Sequence, residues 1–284
     1  MKRLIVNADD FGFTSGVNAG IIHAYKTGIV TSTTIMANGE AFDDAVALAL
    51  ANPSLGVGCH LAIVGGRPVA QPDEVSSIVG KEGLLLPTLG QFMLRLARGS
   101  VKSEDIAREF RAQVIRVVGA GIIPTHFDSH KHSHVSPPVM KALAVVAREF
   151  GVTRVRNPFE NVFNGGMLSS WVEVKQSALS AAVALGALTF NRLVRQHRLK
   201  TVDRFLGVKR TGRLDSEAIR SMMKGLKEGA TELMCHPGFH DSELASAHTR
   251  LKEERQRELE ALTEPSLRRF AEELGIELIS YREL

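Results

Sequence analysis

Thr125 to His134 reads THFDSHKHSH, with Pro124 before it and Pro137-Pro138 after it. Pro124 to Asp128 is expected to be a strand delivering this polar run. His126, Asp128, His130, His132 and His134 share one parity, so an extended chain would point them all one way. Imidazole and carboxylate are the usual ligands of zinc and similar divalent ions. Residues two apart on a strand are separated by about 6.6 Å, whereas metal–ligand bonds are about 2 Å. The five positions therefore cannot serve one ion together. One or two can bind it, and the remaining ligands must come from elsewhere in the chain.

Three other apolar runs end in similar chemistry. Leu4 to Val6 runs into Asn7-Ala8-Asp9-Asp10, Leu55 to Ala62 carries His60 near its end, and Thr231 to Cys235 ends at His236-Pro237-Gly238. Each has a plainer reading on its own. Asp9 or Asp10 could cap a helix near Thr14, His60 could be a core histidine, and His236 could begin a turn. Their joint placement at strand ends is the stronger signal, because barrels of βα units gather their sites there.

Between these runs the pattern alternates strand with helix. Helices are expected over Val17–Gly28, Ala41–Asn52, Ser103–Gly119, Pro138–Phe150 and Ser216–Gly229, and further helices within Ala247–Leu274. In the third, Ile106, Phe110, Val114 and Val117 share a face, and Ser103 is the expected N-cap. Further strands are expected over Val30–Met36, Thr153–Arg156 and Ile276–Tyr281. Val64–Pro87, rich in Gly and Pro, reads as a long loop over one mouth of the fold. The alternation predicts an α/β chain with a parallel sheet, closed as a (β/α) barrel or open and doubly wound.

The 284 residues are read as one domain, 1–284, with 161–213 as an inserted segment. Within it, the apolar run Ser177–Phe190 is followed by Arg192, Arg195, Arg198, Lys200, Arg204, Lys209, Arg210 and Arg213. It is too short to span a bilayer. It reads as a buried or lid helix, or as a surface for lipid or anionic head groups. A net charge of +4 and few aromatics argue against nucleic acid as a partner. Cys59 and Cys235 have no metal spacing and suggest no disulfide framework. The apolar run at the start is short for a signal peptide, so a cytoplasmic enzyme is expected. There is no GxGxxG or Walker motif.

The motifs LIVNADDFG, GIVTSTTIMANG, GCHL, PTHFDSHKHSH and CHPG resemble the YdjC-like carbohydrate deacetylase family, and the C-terminal LISYREL fits as well. RNPFE at Arg156 to Glu160 and the apolar-basic segment resemble the hopanoid-biosynthesis-associated HpnK branch. The resemblance implies a (β/α) barrel, regular or distorted, of the polysaccharide-deacetylase kind. It implies one divalent metal, Mg2+ or Zn2+, held by Asp10, His60 and His130, with Asp9 as general base. The softness of two imidazoles favours zinc. His236 is the expected acid, since histidine titrates near neutrality. Asp128 is expected to orient a ligand histidine. His126, His132, His134 and Arg156 are further candidates for supporting the site or contacting substrate.

The expected reaction is hydrolysis of an N-acetyl group from an amino sugar, with release of acetate. The resemblance to the HpnK branch implies an N-acetylglucosaminyl hopanoid as substrate. Trp171, Tyr25 and Tyr281, besides phenylalanines, offer few aromatic platforms for a soluble glycan, which favours the lipid-linked case. Alternatives are deacetylation of soluble chito-oligosaccharides and a two-metal phosphoesterase on the same scaffold. Peripheral contact with the inner membrane and a homodimer complete the expected partners.

Overall fold

A computed structural model describes residues 1–160 and 186–284. Its axis is β1 (Lys2–Phe11), buried from Leu4 onward. Alternation sets its two faces. Leu4, Val6 and Ala8 join the main apolar core. Ile5 packs in a smaller cluster with Val202, Ala230, Ile279 and Tyr281. Asn7 and Asp9 follow Ile5 at the same parity, so polar side chains sit above an apolar base.

β1 is followed by α1 (Ser15–Thr27), β2 (Ser32–Ile35), α2 (Phe42–Ala51), β3 (Gly56–Leu61), α3 (Leu89–Ala97), α4 (Ser103–Gly119), β4 (Phe127–Ser129) and α5 (Pro137–Glu149). Then come β5 (Arg204–Leu206), α6 (Ser216–Lys224), β6 (Gly229–Cys235), α7 (Ser242–Ser246), α8 (Glu253–Leu262), α9 (Leu267–Glu273) and β7 (Ile276–Leu278). Residues 186–196 are also helical.

The strands pair in parallel in the order β4-β3-β2-β1-β6-β5, and β7 pairs with the start of β1. Single bridges Phe127↔Val155 and Arg154↔Lys200 carry the pairing from β4 round toward β5. The sheet thus curls into a distorted (β/α) barrel, with one arc held by isolated bridges. This arc is what the sequence presents as a strand at Thr153–Arg156.

The expected face of α4 is buried: Ile106, Phe110, Val114 and Val117 all have no exposure. Ser103 is not its cap, because the helix begins there and Lys102 precedes it without a side-chain cap bond. At α1 the cap is Thr14 itself, whose side chain accepts from Val17 N. Neither Asp9 nor Asp10 plays that part.

β5 falls within 161–213, so part of the stretch read as an insertion forms the barrel wall. The run Ser177–Phe190 and Trp171 lie mostly or wholly outside the described residues. Of the described part, Phe190 and Val194 are buried, while Leu188, Arg192, Arg195 and Arg198 are exposed. No helix among the described residues is long and apolar enough to cross a membrane.

Candidate active site

Adjacent strand residues normally face opposite sides of a sheet, yet Asp9 and Asp10 are both buried in the same polar mouth. The register of β1 against β2 shifts between Ala8 and Phe11, and Asp10 has φ 70°. A bulge of this kind re-aims a side chain. Asp tolerates the left-handed region better than most residues.

Asp10 meets two histidines there. His60 comes from β3, and His130 follows the end of β4. Asp10 Oδ1 lies 3.5 Å from His60 Nε2 and 3.3 Å from His130 Nδ1, and the two nitrogens are 3.3 Å apart. Oδ1 is buried and has no hydrogen-bond partner. Two atoms each about 2.0–2.1 Å from zinc, at the tetrahedral angle, would be about 3.4 Å apart. The triangle therefore has the size of three metal ligands. On its far side, His60 Nδ1 donates to Asp128 Oδ1 at 2.8 Å, which aims Nε2 at the triangle. Thr34 Oγ1 donates to the other oxygen of Asp128.

Burial pulls the His60 imidazole down, but Asp128, Asp9 and Asp10 outweigh it and hold it at about 9. The pocket attracts positive charge. With His60 neutral, as a metal ligand must be, Asp9, Asp10 and Asp128 against the guanidiniums of Arg156 and Arg255 leave net negative charge even before Glu232 is counted. A divalent cation fits this donor set in charge, ligand type and spacing.

Asp9, His60 and Asp128 form a second cluster of metal-competent atoms, but a guanidinium already fills it. Arg156 has no exposure. Its Nη1 lies 2.7 Å from Asp9 Oδ2 and 2.6 Å from Asp128 Oδ2, and its Nη2 is 2.6 Å from Asp9 Oδ1. Nε donates to Glu232 Oε1 at 2.8 Å, and Tyr281 OH donates to Glu232 Oε2. Burial pushes the Asp9 carboxyl up, but Arg156 overrides this and keeps it well below the usual range. Glu232 is less well compensated: burial pushes it up to about 7.

The remaining members of the opening run take other places. The chain leaves the extended form after Ser129: residues His130–Val135 form a 3-10 turn, with Lys131 and His132 at φ 54° and 52°. The shared parity expected through His134 therefore ends at Asp128. His126 and His134 have no exposure. His126 stacks on Tyr281 with centroids 3.6 Å apart. His134 Nε2 donates to Arg156 O at 3.2 Å, and Ser129 Oγ donates to its Nδ1. His134 thus holds the backbone of the residue whose side chain holds Asp9. His132 is half-buried with its edge toward Phe205, and its Nδ1 has no partner.

His236 is half-buried at the end of β6, its backbone N donating to Glu258 Oε2 at 2.6 Å and its Nδ1 without a partner. Burial lowers its imidazole to about 4 against the charges of Asp9 and Asp10. It is neutral at pH 7, so an acid role requires it first to gain a proton during the reaction.

The sequence reading passed over Arg255 and Glu258, which sit in an E/R-rich stretch that suggests a solvated face. Both are buried. Arg255 Nη2 donates to Asp10 Oδ2 at 2.5 Å. Their i,i+3 placement on α8 is the one sequence signal that they share a face. Glu232, Asn7 and Thr34 were also missed, although the inward parity of Ile5, Asn7 and Asp9 could have pointed to Asn7.

Burial lowers His134 from 6.5 to about 3. The fold favours its neutral form, so this stabilisation is complete above the unfolded pKa and is lost as pH falls from 6.5 toward about 3. His134→Gln, which cannot titrate, should show a smaller fall in Tm between about pH 7 and pH 4 than the wild type. Parallel pH profiles of Tm would show that His134 contributes nothing to acid sensitivity.

A family model described as "YdjC-like protein" matches residues 3–273. A carbohydrate deacetylase of Geobacillus stearothermophilus is 37% identical, over 99% of this chain and 98% of that protein. A chitooligosaccharide deacetylase of Escherichia fergusonii is 34% identical, over 100% and 99%. Among solved structures, an Enterococcus faecalis V583 protein provisionally described as a cellobiose-phosphate cleavage protein superposes with TM-score 0.81 at 28% identity. That match covers 99% of this chain and 98% of the other. A matched model spanning nearly the whole barrel, with relatives aligned end to end, places the chain in the YdjC-like family.

Proposed function

We propose that the protein is a divalent-metal-dependent deacetylase of N-acetylated amino sugars. The observation carrying this reading is the Asp10, His60 and His130 triangle, with Asp9 beside it on the same bulge. The names of the relatives support the substrate class. Asp10, His60 and His130 would hold a divalent ion, which when bound would polarise the amide carbonyl and lower the pKa of a water. We favour zinc over magnesium, from the two imidazoles and the near-tetrahedral spacing.

In this reading Asp9 takes a proton from the water as general base. Arg156 keeps that carboxylate ionised and fixed in direction. Once protonated, so weak a base is a strong acid, and it can pass its proton toward the leaving amine. His236, neutral beforehand, acts as the acid after receiving that proton. Asp128 and Arg156 support the site from below. His132, half-buried beside Phe205, is the member of the histidine run left to meet substrate.

The finer reading is an N-acetylglucosaminyl hopanoid as substrate. It rests on RNPFE and on the apolar-basic stretch, whose described part exposes Leu188 beside Arg192, Arg195 and Arg198. Peripheral attachment to the inner membrane from the cytoplasm, and a homodimer, belong to the same reading. The second reading is a soluble chito-oligosaccharide, favoured by the Escherichia fergusonii relative's name. A two-metal phosphoesterase is disfavoured, because Arg156 Nη1 occupies the position a second ion would need between Asp9 and Asp128.

The deciding experiment incubates the protein with both kinds of N-acetyl sugar and a phosphate ester. It measures acetate, phosphate and the mass loss of one acetyl group. Phosphate release without acetate would overturn the assignment. His130→Ala should weaken zinc binding by more than the about 10–100-fold typical of changes around a metal's ligands, as read by metal content after dialysis. Full occupancy in that variant would remove His130 from the ligand set.

A further inference from the structure

We infer that Arg255 is a positioning residue that fixes Asp10 as a one-oxygen metal ligand. The inference rests on the metal reading above and concerns how this chain prepares its own carboxylate. Asp10 presents its two oxygens differently. Oδ2 accepts from Arg255 Nη2 at 2.5 Å, whereas Oδ1 faces His60 and His130 and is otherwise unpartnered. A free carboxylate can rotate, and can offer a metal one oxygen or both. With Oδ2 held by a guanidinium, only Oδ1 is available.

Arg255 is itself held from several sides. It is 2% exposed. Its Nε donates to Leu251 O at 3.3 Å, and its backbone carbonyl accepts from Gly238 N at 3.2 Å. Its guanidinium carbon lies 5.6 Å from the centroid of Phe13, and Phe13 N donates to Asp10 O. A long cationic side chain is not buried this way for solubility. One turn further along α8, Glu258 accepts from His236 N and from Gly212 N. The helix therefore braces the ends of β1 and β6 by separate side chains, and only Arg255 touches a candidate ligand.

The test strips the full-length protein of metal and titrates it with Co2+, then with Zn2+ against a chromophoric chelator. Visible Co2+ absorption reports coordination number. Arg255→Met should raise the metal dissociation constant about 10–100-fold. It should also weaken the Co2+ bands, as Asp10 engages through both oxygens. Arg255→Gln, expected to do the same, covers a Met variant that does not fold. Glu258→Gln loosens the same helix without touching Asp10, and should keep wild-type affinity and spectrum. A folded Arg255 variant with wild-type affinity and spectrum overturns the inference. So does Glu258→Gln weakening metal as much as the Arg255 variants, since the effect would then belong to the helix. A wild type that binds neither ion overturns the metal reading itself, and this inference with it.

Discussion

Asp9→Asn should lower kcat by about 10²–10⁴-fold, the usual contribution of a general base, while the protein keeps its metal. Asp9 adjoins the proposed ligand Asp10 but does not belong to the triangle: its oxygens go to Arg156 and Asn7. Asparagine has the same shape and can still accept one bond from Arg156. Its amide nitrogen would face the second guanidinium donor, so a stability loss of about 1–3 kcal/mol should accompany the catalytic one. Metal content, Tm and kcat measured on one preparation separate the three effects. An empty metal site in Asp9→Asn would move Asp9 into the ligand set, and an unchanged kcat would end its role as base.

Arg156→Met should destabilise the protein by about 3–5 kcal/mol, the range seen when one partner of a buried ion pair is removed. Arg156 serves three carboxylates at once: Asp9, Asp128 and Glu232. Without it they face one another in a closed pocket. Glu232 is pushed up to about 7 by burial even with the guanidinium present. In the variant the Asp9 and Glu232 carboxyls would lose the cation that lowers them and be driven higher, so folding would take up protons. The loss should therefore be greatest above about pH 7 and shrink as pH falls. Lysine should rescue little, because the contacts use separate nitrogens of a planar fork. Urea denaturation at two pH values checks this, and an unchanged midpoint in Arg156→Met would refute it.

Much of the barrel could be read from periodicity. β1, β3, β6 and α4 announce themselves by apolar runs or by a 3.6-residue stripe, and the ends of those three strands carry residues that converge. The turn at His130–Val135 was hidden, because alternating histidines mimic strand parity while the backbone kinks at Lys131 and His132. β5 was hidden because three residues give no period, and α3 because it follows a Gly/Pro-rich loop. Arg255 was hidden for a different reason. Its partner Asp10 is 245 residues away, and an arginine among glutamates looks the same whether it meets water or a buried carboxylate. Buried charge is decided by tertiary placement, which local pattern does not encode.

The bulge at Asp10 makes that position close to a two-letter alphabet. Its φ of 70° admits Gly, Asn and Asp readily, and of these only Asp carries a carboxylate. Glutamate would bring the charge but not the backbone. The most accessible substitution that keeps the fold, Asp to Asn, differs by one functional group and removes the proposed anionic ligand. Loss of catalysis in this lineage thus has a low barrier and a recognisable mark. A barrel that has become a pure binder should carry ADNFG where this chain reads ADDFG, with the rest of the mouth intact.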